Sequence, residues 1–153
     1  MTVAAIDPGK TGGLAIIYDD GLAITLEVPI AGKKPAWTQW ARTWGFALSE
    51  AMPTRIGIEA VSSMPKQGVT SMFNFGETLG FVHGICLLAC PKAVIEWPTP
   101  ALWKRKLGLS ADKTESHEEA RRLFPGCSSE LARVKDNGRA EALLIAHYLR
   151  KFG

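Results

Sequence analysis

The sequence predicts an α/β domain built around one mixed sheet. Two patterns carry this expectation. Three strand-like segments joined by tight turns occupy residues 2–28, and from residue 33 onward helical and strand-like segments alternate. With 153 residues, 46% apolar and 22% charged, the chain is long enough for a single domain (1–153) with a real core.

The elements follow in order. Residues 2–7 and 12–18 read as strands, and the run Val3-Ala4-Ala5-Ile6 is continuous enough to be buried on both faces. Asp19-Asp20-Gly21 forms a turn, and 22–28 is the strand returning from it. Residues 33–50 place Trp37, Trp40, Trp44 and Leu48 at spacings of three and four, as in an amphipathic helix whose aromatic stripe faces the core. A short strand at 55–61 carries one acid, Glu59, near its end. A polar loop (62–68), a long helix to about residue 89 and a strand at 93–97 come next. Residues 98–108 read as a short helix opened by proline and stopped by Gly108. Further helices are expected at 112–126, ended by Pro125-Gly126, and at 138–151. The order βββαβαβααα is a meander followed by βα crossovers, the order expected of a ribonuclease H-like fold with a five-stranded mixed sheet flanked by helices.

Several function classes drop out. Gly9-Lys10-Thr11 resembles the end of a nucleotide-binding P-loop, but that motif needs glycine five residues before Gly9, where this chain has Ala4. Cys86, Cys90 and Cys127 form no C-x-x-C pair and read as core residues. No run of about 18 apolar residues predicts a membrane span. The N-terminus lacks signal-peptide character, which predicts a cytoplasmic protein. Net charge is +3, with basic residues gathered at 102–108, 132–139 and 149–151, either a solvated face or a surface for a polyanion.

Four acids stand out by placement. Asp7 ends the first strand, Glu59 ends the fourth, and Asp136 and Glu141 bracket the start of the last helix. If the first and fourth strands are neighbours, Asp7 and Glu59 lie side by side, and each raises the other's pKa unless a cation sits between them. Hard carboxylate oxygens suit Mg²⁺ or Mn²⁺. Two such ions about 4 Å apart can activate a water and stabilise the leaving oxygen in phosphodiester cleavage. Plainer roles are open for each acid: an Asx-turn for Asp7, a helix N-cap for Asp136, and a first-turn partner of the helix dipole for Glu141.

The segments AIDPG…GGLAI, IGIEAV, GVTSMFNFGETLGFVHGI and RAEALLIAHYL, in this order, resemble the RuvC family of Holliday junction resolvases, in the version carried by phages more than the standard bacterial one. The resemblance runs from about residue 2 to 150. It implies a ribonuclease H-like fold, a homodimer, and Mg²⁺-dependent cutting (Mn²⁺ substituting) of two opposed strands of a four-way DNA junction. The family's acids fall on Asp7, Glu59 and Glu141. Its remaining acid falls on Gly138, and Asp136 is taken as the replacement. Basic residues near the scissile phosphate fall on Lys104 in LWKRKLG and Lys113 in SADKT. Phe73 or Phe75 is the candidate for a family aromatic that stacks on a base at the junction centre, with burial or a dimer contact an equal alternative for both, and Lys66 and Gln67 in the preceding loop are candidate junction contacts. The long helix, with Gly76, Gly80 and Gly84, is the expected dimer interface.

Two other readings compete. DPGKT (7–11) also fits the D-x-G-x-T phosphate motif of actin-like and sugar-kinase ATPases, but no second such motif occurs and the chain has no room for their second domain. A non-catalytic junction binder is the other alternative, and the retention of four acids argues against it.

Overall fold

The computed structural model describes residues 1–61 and 68–153. Three antiparallel strands come first: β1 (Val3–Asp7), β2 (Gly13–Ile17) and β3 (Ala23–Glu27). A small hairpin, β4 (Ile30–Ala31) and β5 (Lys34–Pro35), leads into α1 (Trp37–Ala51). Then come β6 (Arg55–Ile58), α2 (Val69–Ala89), β7 (Val94–Glu96), α3 (Pro100–Leu107), α4 (Lys113–Leu123) and α5 (Asn137–Phe152). The five-stranded sheet has the order β3-β2-β1-β6-β7, with β6 parallel to both β1 and β7.

Alternation along β1 and β2 divides the core into two layers. Val3, Ala5, Ala15 and Ile17 pack with Trp103 of α3 and Leu143 and Leu144 of α5. Ala4, Ile6, Leu14 and Ile16 face the other way, onto Trp40, Trp44 and Leu48 of α1 and Val82 and Cys86 of α2. All of these side chains are fully buried, and burying Leu48 alone contributes roughly 1.5–3 kcal/mol. The tryptophan stripe thus faces the core, and the Trp44 indole N–H donates to the Glu27 carbonyl at 3.1 Å. The three cysteines are free and buried, and burial pushes the Cys86 thiol up to about 12.

Boundaries differ from expectation where the backbone turns. The helix expected from residue 33 starts at Trp37, because Gly32 takes a left-handed conformation (φ +63°) and reverses the chain into the β4–β5 hairpin. The strand expected over 55–61 ends at Ile58, leaving Glu59 just beyond it. The α4 helix stops at Leu123, and Pro125–Cys127 form a separate turn of 3₁₀ helix.

Helix α2 is only partly covered. Thr78, Val82, Ile85 and Cys86 are its buried residues, whereas Val69, Met72, Phe73, Leu87 and Leu88 are exposed. A Cβ added at Gly76, Gly80 or Gly84 would meet nothing within 4 Å. The helix is also long and apolar enough to cross a membrane by length and composition, although its apolar residues form no unbroken run.

Candidate active site

The parallel pairing of β1 with β6 sets Ile6 opposite Ile58, so the next residues on each chain are Asp7 and Glu59. The Glu59 N–H donates to the Ile6 carbonyl at 3.0 Å, which holds the two acids in adjacent positions at the carboxyl ends of the strands. Ile6 and Ile58 belong to the α1–α2 layer, so alternation turns Asp7 and Glu59 toward α3 and α5. There the Trp103 indole N–H donates to Glu59 Oε1 at 3.0 Å in a buried contact. Glu141, one turn into α5, is reached by Lys104 of α3, whose Nζ lies 3.0 Å from Glu141 Oε1.

The carboxylates are coupled by charge: Glu141 acts on Asp7 and Glu59, and Glu59 acts on Asp7. Burial, then the charges of Glu59 and Glu141, push Asp7 up to about 7, against which the Gly9 N–H (3.4 Å) and the Lys113 charge pull only weakly. Burial also raises Glu59; the Trp103 hydrogen bond opposes this, Glu141 adds to it, and Lys104 and Lys113 oppose it. Lys113 opens α4, whose start is capped by Asp112 accepting from the Thr114 N–H at 2.8 Å. Negative charge in this corner therefore exceeds what the chain itself neutralises, which is the electrostatic condition for holding a hard divalent cation. Among the described residues, no three His, Cys, Asp or Glu side chains converge closely enough to hold an ion as they stand.

Asp136 differs from the expectation that grouped it with these acids. Its Oδ2 accepts from the Arg133 N–H (2.9 Å) and Nε (3.2 Å), and its Oδ1 from Arg133 Nη2 (2.9 Å) and Arg139 Nη2 (2.7 Å). Burial opposes its charge, but these donors outweigh burial and hold the carboxyl well below the usual range. Both oxygens are spent on arginines, and the side chain makes no capping bond to α5 either.

Gly138, on which the resemblance places an acid, has no room for a side chain. It pairs with Gly12 in an isolated bridge, and a Cβ on it would lie 2.2 Å from the Thr11 carbonyl oxygen. A Cβ on Gly12 would lie 2.0 Å from the Asp7 carbonyl oxygen. The turn after Asp7 and the start of α5 thus pack backbone to backbone, which leaves no room for a side chain at 138.

The remaining candidates separate. Phe73 is 72% exposed, whereas Phe75 is half-buried and lines a cavity with Lys10 and Trp37. Lys66 and Gln67 lie outside the described residues. His83 packs edge-on against Trp97, His147 against Phe124, and His117 bonds to Asn137 and the Leu131 carbonyl. Sequence reasoning missed Trp103 and the arginine pair. Trp103 carries a helix-spacing signal for burial alone, and Arg133 and Arg139 differ from other basic residues only in standing three residues on either side of Asp136.

The sheet order, the helices on both faces and the acids at the ends of two central neighbouring strands define a ribonuclease H-like fold. Among solved structures, that of Thermus thermophilus RuvC in complex with a Holliday junction substrate matches with a TM-score of 0.68 and 20% identity, over 100% of this chain and 97% of that one. A second Thermus thermophilus RuvC structure matches with a TM-score of 0.67 and 22% identity, over 99% and 96% of the two chains. The chain therefore has the fold of RuvC along its whole length. No protein-family model and no curated protein matches it.

Proposed function

We propose that the chain is a metal-dependent, structure-selective DNA endonuclease that resolves four-way (Holliday) junctions and acts on other branched DNA. The observation that carries the proposal is that Asp7, Glu59 and Glu141, from β1, the end of β6 and α5, stand within charge-coupling range, with Lys104 paired to Glu141 and Lys113 acting on Asp7 and Glu59. The fold shared with a protein solved on a Holliday junction substrate supports the choice of DNA.

Asp7, Glu59 and Glu141 are the residues to hold Mg²⁺, with Mn²⁺ as a substitute, and Trp103 orients Glu59. A divalent metal bound there would supply an activated water and would stabilise the leaving oxygen of a phosphodiester. Lys104 and Lys113 hold the scissile phosphate and offset developing charge. Asp136 keeps its arginines and serves the geometry of the α5 start. Exposed Phe73 is the better candidate for stacking on a junction base. A homodimer through α2 fits its exposed apolar residues and its open glycine stripe. The phage-type and cytoplasmic assignments rest on sequence alone.

A labelled synthetic four-way junction, incubated with and without Mg²⁺ beside a flap and a plain duplex, tests the proposal. Paired symmetric nicks on the junction that require Mg²⁺ are expected. The engagement of Glu141 by Lys104 favours one rival, a non-catalytic junction binder. Tight binding without cutting in any divalent metal would establish that rival.

A further inference from the structure

The cavity that Phe75 lines with Lys10 and Trp37 contains none of the three carboxylates. It has a volume of about 520 Å³ and is bounded by the β4–β5 hairpin, the start of α1 and the first turns of α2. Lys10, Lys33 and Lys34 line it with Trp37, Phe75 and Glu77. Three ammonium groups against one carboxylate make the cavity attractive to an anion.

The aromatic residues narrow the class of anion. Trp37 is half-buried, stacks on Trp40 with ring centroids 5.7 Å apart, and meets Phe81 edge-on at 4.8 Å. Its ring is thereby fixed by neighbours in the core, an indole held in place without a bound ligand. Phe75 is half-buried on the facing helix. Lysines beside aromatic rings are the composition of a site for single-stranded nucleic acid, in which phosphates follow the positive charge and bases stack on the rings. Double-stranded DNA offers no free base face, so a purely backbone-tracking surface gains nothing from the two rings. Lys10 stands three residues beyond Asp7, in the turn between the carboxylates and this cavity.

We infer that the cavity binds one unpaired nucleotide of a DNA single strand, with its phosphate on Lys10, Lys33 and Lys34 and its base against Trp37 and Phe75. The assignment deepens the nuclease reading above: it makes branches with an unpaired arm, such as flaps and splayed forks, preferred over fully paired junctions.

The test is fluorescence anisotropy of a labelled oligothymidine of about ten nucleotides with the full chain in EDTA, where no cutting occurs. A matched duplex is run in parallel. Lys33→Gln/Lys34→Gln, on the exposed hairpin, is expected to weaken single-strand binding at least about fivefold and to lower the salt slope by about 1. Phe75→Leu is expected to weaken it about tenfold by loss of base stacking, and duplex binding should change less than twofold in either variant. Unchanged oligothymidine affinity in the lysine variant, or an equal loss for the duplex, overturns the inference. Because the assay needs neither metal nor cleavage, a chain that cuts nothing can still pass it, and an active nuclease can still fail it.

Discussion

Asp7 leads into the turn that holds Gly12, and Asp136 precedes Gly138, its partner in the bridge, yet the two acids belong to opposite electrostatic regimes. Around Asp136, two guanidiniums and a backbone N–H satisfy both carboxylate oxygens and hold the group ionised. Around Asp7 and Glu59, burial and the neighbouring carboxylate charges outrun the lysines, and Asp7 is pushed up to about 7. An acid neutralised by its own chain is a structural part. Acids left with excess negative charge at strand ends are, on the proposed reading, where a cation from outside would bind.

The largest expected effect breaks the second region. Asp7→Asn should lower junction cleavage in Mg²⁺ by at least about 100-fold, a loss typical of removing one electrostatic element from a reacting centre. Junction affinity by gel shift should stay within about twofold. Cutting at the parental rate would remove Asp7 from the site.

The matching change in the first region should act on stability. Asp136→Asn leaves the buried Arg139 guanidinium without its charge partner, at a cost of about 3 kcal/mol in urea unfolding. The rate per folded molecule should remain near parental at low temperature. A variant that is fully stable yet inactive would return Asp136 to the metal site.

Much of this contrast was out of reach of the sequence. Strand and helix order could be read because β1 is uniformly apolar and the tryptophans recur at helical spacing. The positions of Asp7, Glu59 and Glu141 followed from that order and from the RuvC-like motifs. The arginine partners of Asp136 are not legible in the sequence, because they come from residues 133 and 139 and only the folded turn brings both guanidiniums to one carboxylate. The contact of Gly138 with Gly12 is likewise illegible in the sequence, because it joins residues 126 apart along the chain. The β4–β5 hairpin was hidden because residues 33–36 extend the helical pattern of α1 backwards, and Gly32 alone marks the break.

Proton linkage gives a smaller effect. The raised pKa of Asp7 means that the native state keeps a proton that the unfolded chain loses above about pH 4. Stability of the metal-free protein should therefore fall as pH rises from about 4 to about 7 and stay low above that range. Relative to the parent, Asp7→Asn should gain about 2 kcal/mol at pH 8, after allowing for solvent screening, and almost nothing at pH 4.5. Chemical denaturation at the two pH values reads this difference, and an equal gain at both would show that burial of a charge is not its source.

The smallest effect concerns the lysines. Lys113→Gln should slow junction cleavage about tenfold, equivalent to about 1.4 kcal/mol of charge stabilisation, with little change in stability because the side chain is exposed. An unchanged rate at saturating junction would make Lys113 a surface residue.

The most direct test of the account is calorimetric titration of Mn²⁺ into the parent, Asp7→Asn and Asp136→Asn proteins at a temperature where all three are folded. The account predicts binding by the parent and by Asp136→Asn, and its loss in Asp7→Asn. Binding that survives Asp7→Asn but disappears in Asp136→Asn would contradict it.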